Sequence, residues 1–88
     1  MPLVKFYANL RKLASVKEKV VPGNSIRAVL ETLADDFPGL RPFFFDGNRI
    51  QVRVIITLNG QTLDPETVPD IPVSEQDQIA IFPPISGG

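Results

Sequence analysis

The sequence ends on Ile81-Phe82-Pro83-Pro84-Ile85-Ser86-Gly87-Gly88, and these residue types suit one kind of chemistry: delivering a terminal carboxylate into another protein. Pro83 and Pro84 hold φ at about −65° and bias the residues before them toward extended backbone, so the chain should leave the preceding strand as a stiff rod. The stretch after Phe82 can reach roughly 20 Å at about 3.3 Å per residue. Gly87 and Gly88 carry no side chain, so they can thread a narrow slot and let an enzyme's backbone approach the carboxylate closely. Two terminal glycines arise by chance in about one chain in 200, and the remnant of a flexible linker would also end in Ser-Gly-Gly. Neither accounts for two prolines and a strand-like run leading into them.

What the chain lacks narrows its chemistry further. It contains no cysteine and no histidine, which removes thiol nucleophiles, disulfides, Cys/His zinc sites and the commonest general base. An enzyme built from it would have to work with Asp, Glu, Lys, Arg, Ser, Thr and one tyrosine. Nine basic residues against ten acidic ones leave a net charge of −1, so neither nucleic acid nor an anionic membrane is an expected partner. No apolar run approaches the roughly 20 residues that span a bilayer. The start, "MPLVKFYANLRK", places its charges inside a strand-like pattern and is unlike a signal peptide. At 88 residues the expectation is a single cytoplasmic domain over 1–88, with 83–88 a flexible functional tail.

The elements that must position this arm follow from periodicity. In "LVKFYA", Val4, Phe6 and Ala8 share one face and Leu3, Lys5 and Tyr7 the other, a strand pattern. The short polar stretch "NLRKLASV" leads to a second strand in "KEKVV", close enough for an antiparallel hairpin. Pro22-Gly23 breaks that strand, Asn24 or Ser25 can cap a helix, and Ile26, Val29, Leu30, Leu33 and Phe37 form one apolar stripe of it until Pro38-Gly39. Phe43, Phe44 and Phe45 read as a loop or short helical turn plugging the open end of the core, with a binding surface as the alternative. In "QVRVIITL", Val52, Val54, Ile56 and Leu58 face one way and Arg53, Ile55 and Thr57 the other. Asn59-Gly60 is a tight hairpin turn. Residues 61–77 read as loop with at most one short strand, and "QIAIF" is a final strand with Ile79 and Ile81 opposite Ala80 and Phe82.

Strand, strand, helix, strand, irregular segment, strand describes an α+β domain with one main helix on one face of a mixed sheet of four to five strands. The first and last strands can lie parallel, because the chain between them is long enough for the crossover. This is the β-grasp pattern of ubiquitin-like domains. Leu3, Lys5, Tyr7, Arg53, Ile55, Ala80 and Phe82 are then the candidates for the uncovered face. Several are apolar, and an apolar patch on a water-soluble domain marks an interface.

The segments "VKFYANLRKLA", "SIRAVLETLADDFPGLR", "LNGQ" and "DQIAIFPPISGG" resemble the MoaD/ThiS group of small sulfur-carrier proteins, most closely the small subunit of molybdopterin synthase. The resemblance covers most of the chain, and its ending is its most specific part. It implies a cycle in which a separate ATP-using, E1-like enzyme adenylates the Gly88 carboxylate. Sulfur, with a sulfurtransferase as a further partner, then replaces an oxygen to give a thiocarboxylate. It also implies delivery of that sulfur to a cyclic pterin precursor inside the large catalytic subunit, in a heterotetramer. Pro83, Pro84, Ile85, Ser86 and Gly87 would thread the active site, while Phe82, Ala80, Tyr7 and Ile55 dock the domain. ATP, Mg²⁺ and the acid–base residues would belong to partners, with no cofactor or metal held by this chain.

One stretch, "RPFFFDGNRIQVRVI", is longer and more aromatic than its counterpart in many family members. Related chains with such insertions serve molybdenum cofactor synthesis, tRNA thiolation or covalent protein tagging, so the acceptor stays open. Sulfur carriage to thiamine precursors or tRNA, conjugation of Gly88 to lysines as a ubiquitin-like modifier, and a plain interaction domain with an idle tail are the alternatives. Lys5, Lys12, Lys17 and Lys19 are candidate self-conjugation sites but read first as solvated charge. Arg11 and Arg41 read as surface charges, with acids of a partner as their other use.

Overall fold

A computed structural model describes residues 1–47, 49–64 and 66–83. Among them, β1 (Leu3–Phe6), β2 (Glu18–Val20), β5 (Ile55–Leu58), β6 (Gln61–Thr62) and β7 (Gln78–Phe82) form one mixed sheet in the order β2-β1-β7-β5-β6. Here β3 (Phe45–Asp46) and β4 (Arg49–Ile50) are a separate two-stranded ribbon. The α+β, β-grasp reading holds. β1 and β2 are antiparallel, β1 and β7 run parallel with Val4 beside Ile79 and Phe6 beside Ile81, and β5 pairs antiparallel with β7. The strand that leads into the terminal segment is therefore central in the sheet. Residues 84–88, which include the tail-threading candidates Pro84, Ile85, Ser86 and Gly87 and the terminal Gly88, lie outside the described residues.

The register explains the core. Val4, Phe6, Ile56, Ile79 and Ile81 all point to one side and are buried there against α2 (Ile26–Asp36), whose Ile26, Val29, Leu30, Leu33 and Ala34 face them. Helix α2 begins where expected: Ser25, in extended backbone, accepts the Ala28 N–H on its Oγ at 3.2 Å, satisfying one orphan donor of the first turn. Gly23 precedes it at φ +152°, and a Cβ there would come 2.9 Å from Val29 Cγ2. The close approach of chain and helix at that point requires glycine. A 3₁₀ turn over Pro38–Leu40 ends the helix.

Three expectations need correction. The polar stretch after β1 contains a helix, α1 (Leu10–Ala14), which buries Leu10 and Ala14 and leaves Leu13 on the surface. Ala8, expected inward beside Val4 and Phe6, is exposed at φ +54°. The chain turns there, because the Tyr7 and Ala8 carbonyls accept the Leu10 and Arg11 N–H groups. Finally, "QVRV" is not strand. Gln51 and Arg53 donate their N–H groups to the Phe44 and Phe43 carbonyls at 2.8 and 2.7 Å, so this stretch follows the aromatic segment instead of the sheet, and Arg53 is not part of the uncovered face.

The aromatic run behaves as the plug that its position suggests. Arg41–Phe44 is a short helix, α3, with Phe44 fully buried and Phe43 and Phe45 packed half-buried on the core. Among the described residues no helix is long and apolar enough to cross a membrane.

Candidate functional site

The sheet face opposite α2 carries the candidate site, and its pattern follows from the pairing. Tyr7 donates its N–H to the Ile81 carbonyl at 3.2 Å, which sets its side chain beside that of Phe82. The two rings stack with centroids 4.5 Å apart and planes 12° from parallel. Ile55 is the cross-strand partner of Phe82. One residue-pair along, Ala80 lies between Lys5 on β1 and Thr57 on β5. The methyl group of Ala80 between longer neighbours leaves a shallow depression of about 270 Å³, walled by Tyr7 and Phe82 at one end and by Asn59 and Gly60 at the other. Tyr7, Ile55, Ala80 and Phe82, four positions scattered through the sequence, are thus adjacent and each half-buried. Pro83 follows directly and is also half-buried.

The face has two further parts that the residue pattern did not reveal. Val20 pairs with Leu3 across β1 and β2 and is 49% exposed, which extends the apolar surface to the sheet edge. Its alternation within "KEKVV" was the available signal. At the other edge a polar latch ties the β5–β6 turn to the start of β7. Asn59 and Gly60 hold φ +52° and +87°, the positive values a tight hairpin turn demands. Asn59 donates from Nδ2 to Asp77 Oδ1 at 3.0 Å, its Oδ1 accepts the Gln78 N–H at 2.9 Å, and its own N–H goes to the Gln78 carbonyl at 2.8 Å. Asp77 Oδ2 accepts the Ser74 N–H at 2.8 Å. The Asn59 amide, and after it the Ser74 N–H, hold the Asp77 carboxyl below its ordinary 3.8, since both bonds favour the charged form.

The two arginines read as surface charges differ in their surroundings. Arg41 pairs with Asp35 at 2.8 Å, both exposed. Arg11, on α1, donates from Nε to the Phe6 carbonyl at 2.9 Å and lies over the Tyr7 ring, 5.6 Å from its centroid.

Among the described residues no buried side chain is polar or charged, and no group of three or more acidic residues is gathered to hold a metal ion. This face is an apolar, aromatic-centred surface with Lys5 and the Asn59 turn beside it, and it adjoins Pro83, the last described residue.

Known proteins resemble this chain over nearly its whole length. The ThiS family model matches residues 4–88. No curated protein sequence matches the chain. The solution structure of small archaeal modifier protein 1 from Methanosarcina acetivorans is 29% identical, with a TM-score of 0.83 over 99% of this chain and 95% of that one. The crystal structure of the Amycolatopsis orientalis BexX/CysO complex contains a chain 15% identical, with a TM-score of 0.81 over 100% of both. A structure assigned as a molybdopterin converting factor, subunit 1, from Pyrococcus furiosus is 23% identical, with a TM-score of 0.70 over 96% of this chain and 97% of that one. The last two, at those identities, are likenesses of fold. With a match that runs from Val4 to the final glycine, the chain belongs to the ThiS family of ubiquitin-like sulfur carriers.

Proposed function

We propose that the Gly88 carboxylate is adenylated by an ATP-using partner and then converted to a thiocarboxylate, and that the chain donates this sulfur to a pterin precursor as the small subunit of a molybdopterin synthase. The observation that carries the reading is the Tyr7–Phe82 stack on the uncovered face, one residue before the chain turns into Pro83-Pro84. A docking surface at the root of a side-chain-free end is what a delivered carboxylate needs. A carboxylate is a poor electrophile until it has a leaving group. Attack of its oxygen on the α-phosphate of ATP expels pyrophosphate and leaves an acyl adenylate. A sulfur nucleophile then attacks the carbonyl carbon, AMP departs, and the C–S bond replaces the C–O bond. In the last step the thiocarboxylate sulfur attacks the precursor as nucleophile, and water then cleaves the acyl C–S bond, leaving the sulfur on the acceptor and restoring the Gly88 carboxylate. In this scheme ATP, Mg²⁺ and all acid–base groups belong to the activating enzyme and to the large subunit.

A second reading has its own support. Likeness at 29% identity to a small archaeal modifier protein favours conjugation, in which a lysine amine attacks the same acyl adenylate, AMP leaves and an isopeptide bond forms. Both readings share the first step and part at the nucleophile.

The test incubates the full chain with ATP, Mg²⁺, sulfide and the adenylating enzyme of the same organism, and reads intact mass. A species heavier by the difference between sulfur and oxygen, mapped to Gly88 by fragmentation, is expected, with its sulfur passing to the pterin precursor when the large subunit is added. Deleting Gly88 should abolish the modified species and leave the unfolding curve unchanged. Sulfur transfer by the deleted chain would overturn the proposal. Conjugates to lysine in place of the thiocarboxylate would select the modifier reading.

A further inference from the structure

We propose that Arg11 is a positioning residue for the terminal arm: it clamps the Tyr7 ring against Phe82 and so fixes the surface from which β7 releases the chain. The role rests on the carrier reading above. Its basis is the turn between β1 and α1. The chain reverses over Tyr7 and Ala8, with Ala8 in the left-handed region at φ +54° and the Tyr7 and Ala8 carbonyls accepting the N–H groups of Leu10 and Arg11. A non-glycine residue takes that conformation only where its surroundings impose it. The reversal brings Arg11 back over the residue four positions before it. Its Nε–H is then spent on the Phe6 carbonyl at 2.9 Å, which fixes the plane of the guanidinium, and its charge lies 5.6 Å from the Tyr7 centroid.

Two constraints converge on the Tyr7 ring: the guanidinium from α1 and the Phe82 ring, stacked at 4.5 Å and 12°. An arginine suits the task because its planar fork keeps a hydrogen bond and a ring contact at once, which an ammonium on a flexible stem does not. Among the described residues, no ring stack or cation–π contact is made at Ile55 or Ala80. Arg11 acts on the root of the arm through Tyr7.

Tyr7 is the only tyrosine and the chain has no tryptophan, so tyrosine fluorescence reports this one ring. The test compares wild type, Arg11→Ala, Arg11→Lys, Phe82→Ala and the Arg11→Ala/Phe82→Ala double variant as full chains. Fluorescence quenching by acrylamide is read first, and then ATP–pyrophosphate exchange with the adenylating enzyme of the same organism. Arg11→Ala should raise the quenching constant about twofold and the KM for exchange roughly fivefold, with kcat held. Arg11→Lys should recover only part of each, and the double variant should be no worse than Phe82→Ala alone, because both residues act on one ring. Unchanged Tyr7 quenching in a folded Arg11→Ala chain would overturn the clamp. So would additive effects in the double variant, which would make Arg11 an independent contact with the enzyme. Absence of exchange with the wild-type chain would overturn the carrier reading and this role with it; unaltered differences in quenching then distinguish that failure from failure of the clamp.

Discussion

Two aromatic groups in this molecule have opposite fates. Phe43, Phe44 and Phe45 are consecutive, and the protein consumes them: Phe44 is fully buried and its neighbours pack on the core around it. Tyr7 and Phe82 lie at opposite ends of the sequence, and the protein displays them, stacked and half-buried on the uncovered sheet. Sequence proximity made the first group the more conspicuous. Parallel pairing of β1 with β7 brought the second together. A run of aromatics beside turn residues is most simply a plug, because adjacent side chains on a short helix point in different directions and can seal an opening from several sides. Aromatics that meet only through strand pairing form a surface with a fixed geometry.

The comparison breaks most visibly at Phe44. Truncating a buried phenylalanine costs about 3–5 kcal/mol, so Phe44→Ala should shift the urea midpoint strongly; a loss below about 1 kcal/mol would show that the plug carries no core. Phe82→Arg should do the reverse. Losing one ring stack on a half-exposed face costs about 1 kcal/mol of stability, while binding to the activating enzyme should weaken by at least about thirtyfold if Phe82 is an interface anchor. Unchanged affinity in titration calorimetry would remove the docking role. The smallest effect belongs to the polar edge of that face. The folded-state pKa of Asp77 lies below its ordinary 3.8, so its contribution to stability is present above 3.8 and is lost as pH falls through the lower folded value. Asp77→Asn should make stability slightly less sensitive to acid in that window alone, and identical acid-unfolding profiles would place the latch among contacts without energetic weight.

How much of this was legible depends on the range of each signal. Helix α2 announces itself over eleven residues with a cap before it and Pro38-Gly39 after it, so periodicity and capping agree. The Asn59-Gly60 turn is equally readable, because few dipeptides accept positive φ twice. Helix α1 escaped notice: in five residues only Leu10 and Ala14 mark its buried side, and one repeat of a spacing of four does not distinguish helix from loop. "QVRV" alternates as a strand should, yet its N–H groups pair with Phe43 and Phe44; alternation states which side chains are buried, not which backbone they bond. Tyr7 and Phe82 were each assignable to the uncovered face. That they touch depends on the register between β1 and β7, which no local pattern encodes. The same holds for Arg11, whose partner is set by the Ala8 reversal, and for Asn59 and Asp77, which meet across eighteen positions.

The central location of β7 also has a mechanical meaning. A pull on the chain beyond Pro83 is directed along β7, which is gripped by β1 on one side and β5 on the other. Such a load shears both ladders along their length, so their hydrogen bonds resist together instead of opening one after another. Because β1 and β7 run parallel, tension between the start of β1 and the end of β7 slides the two strands past each other in the same cooperative way. Tension applied to β7 from its far end therefore works against a strand that is paired along both of its edges.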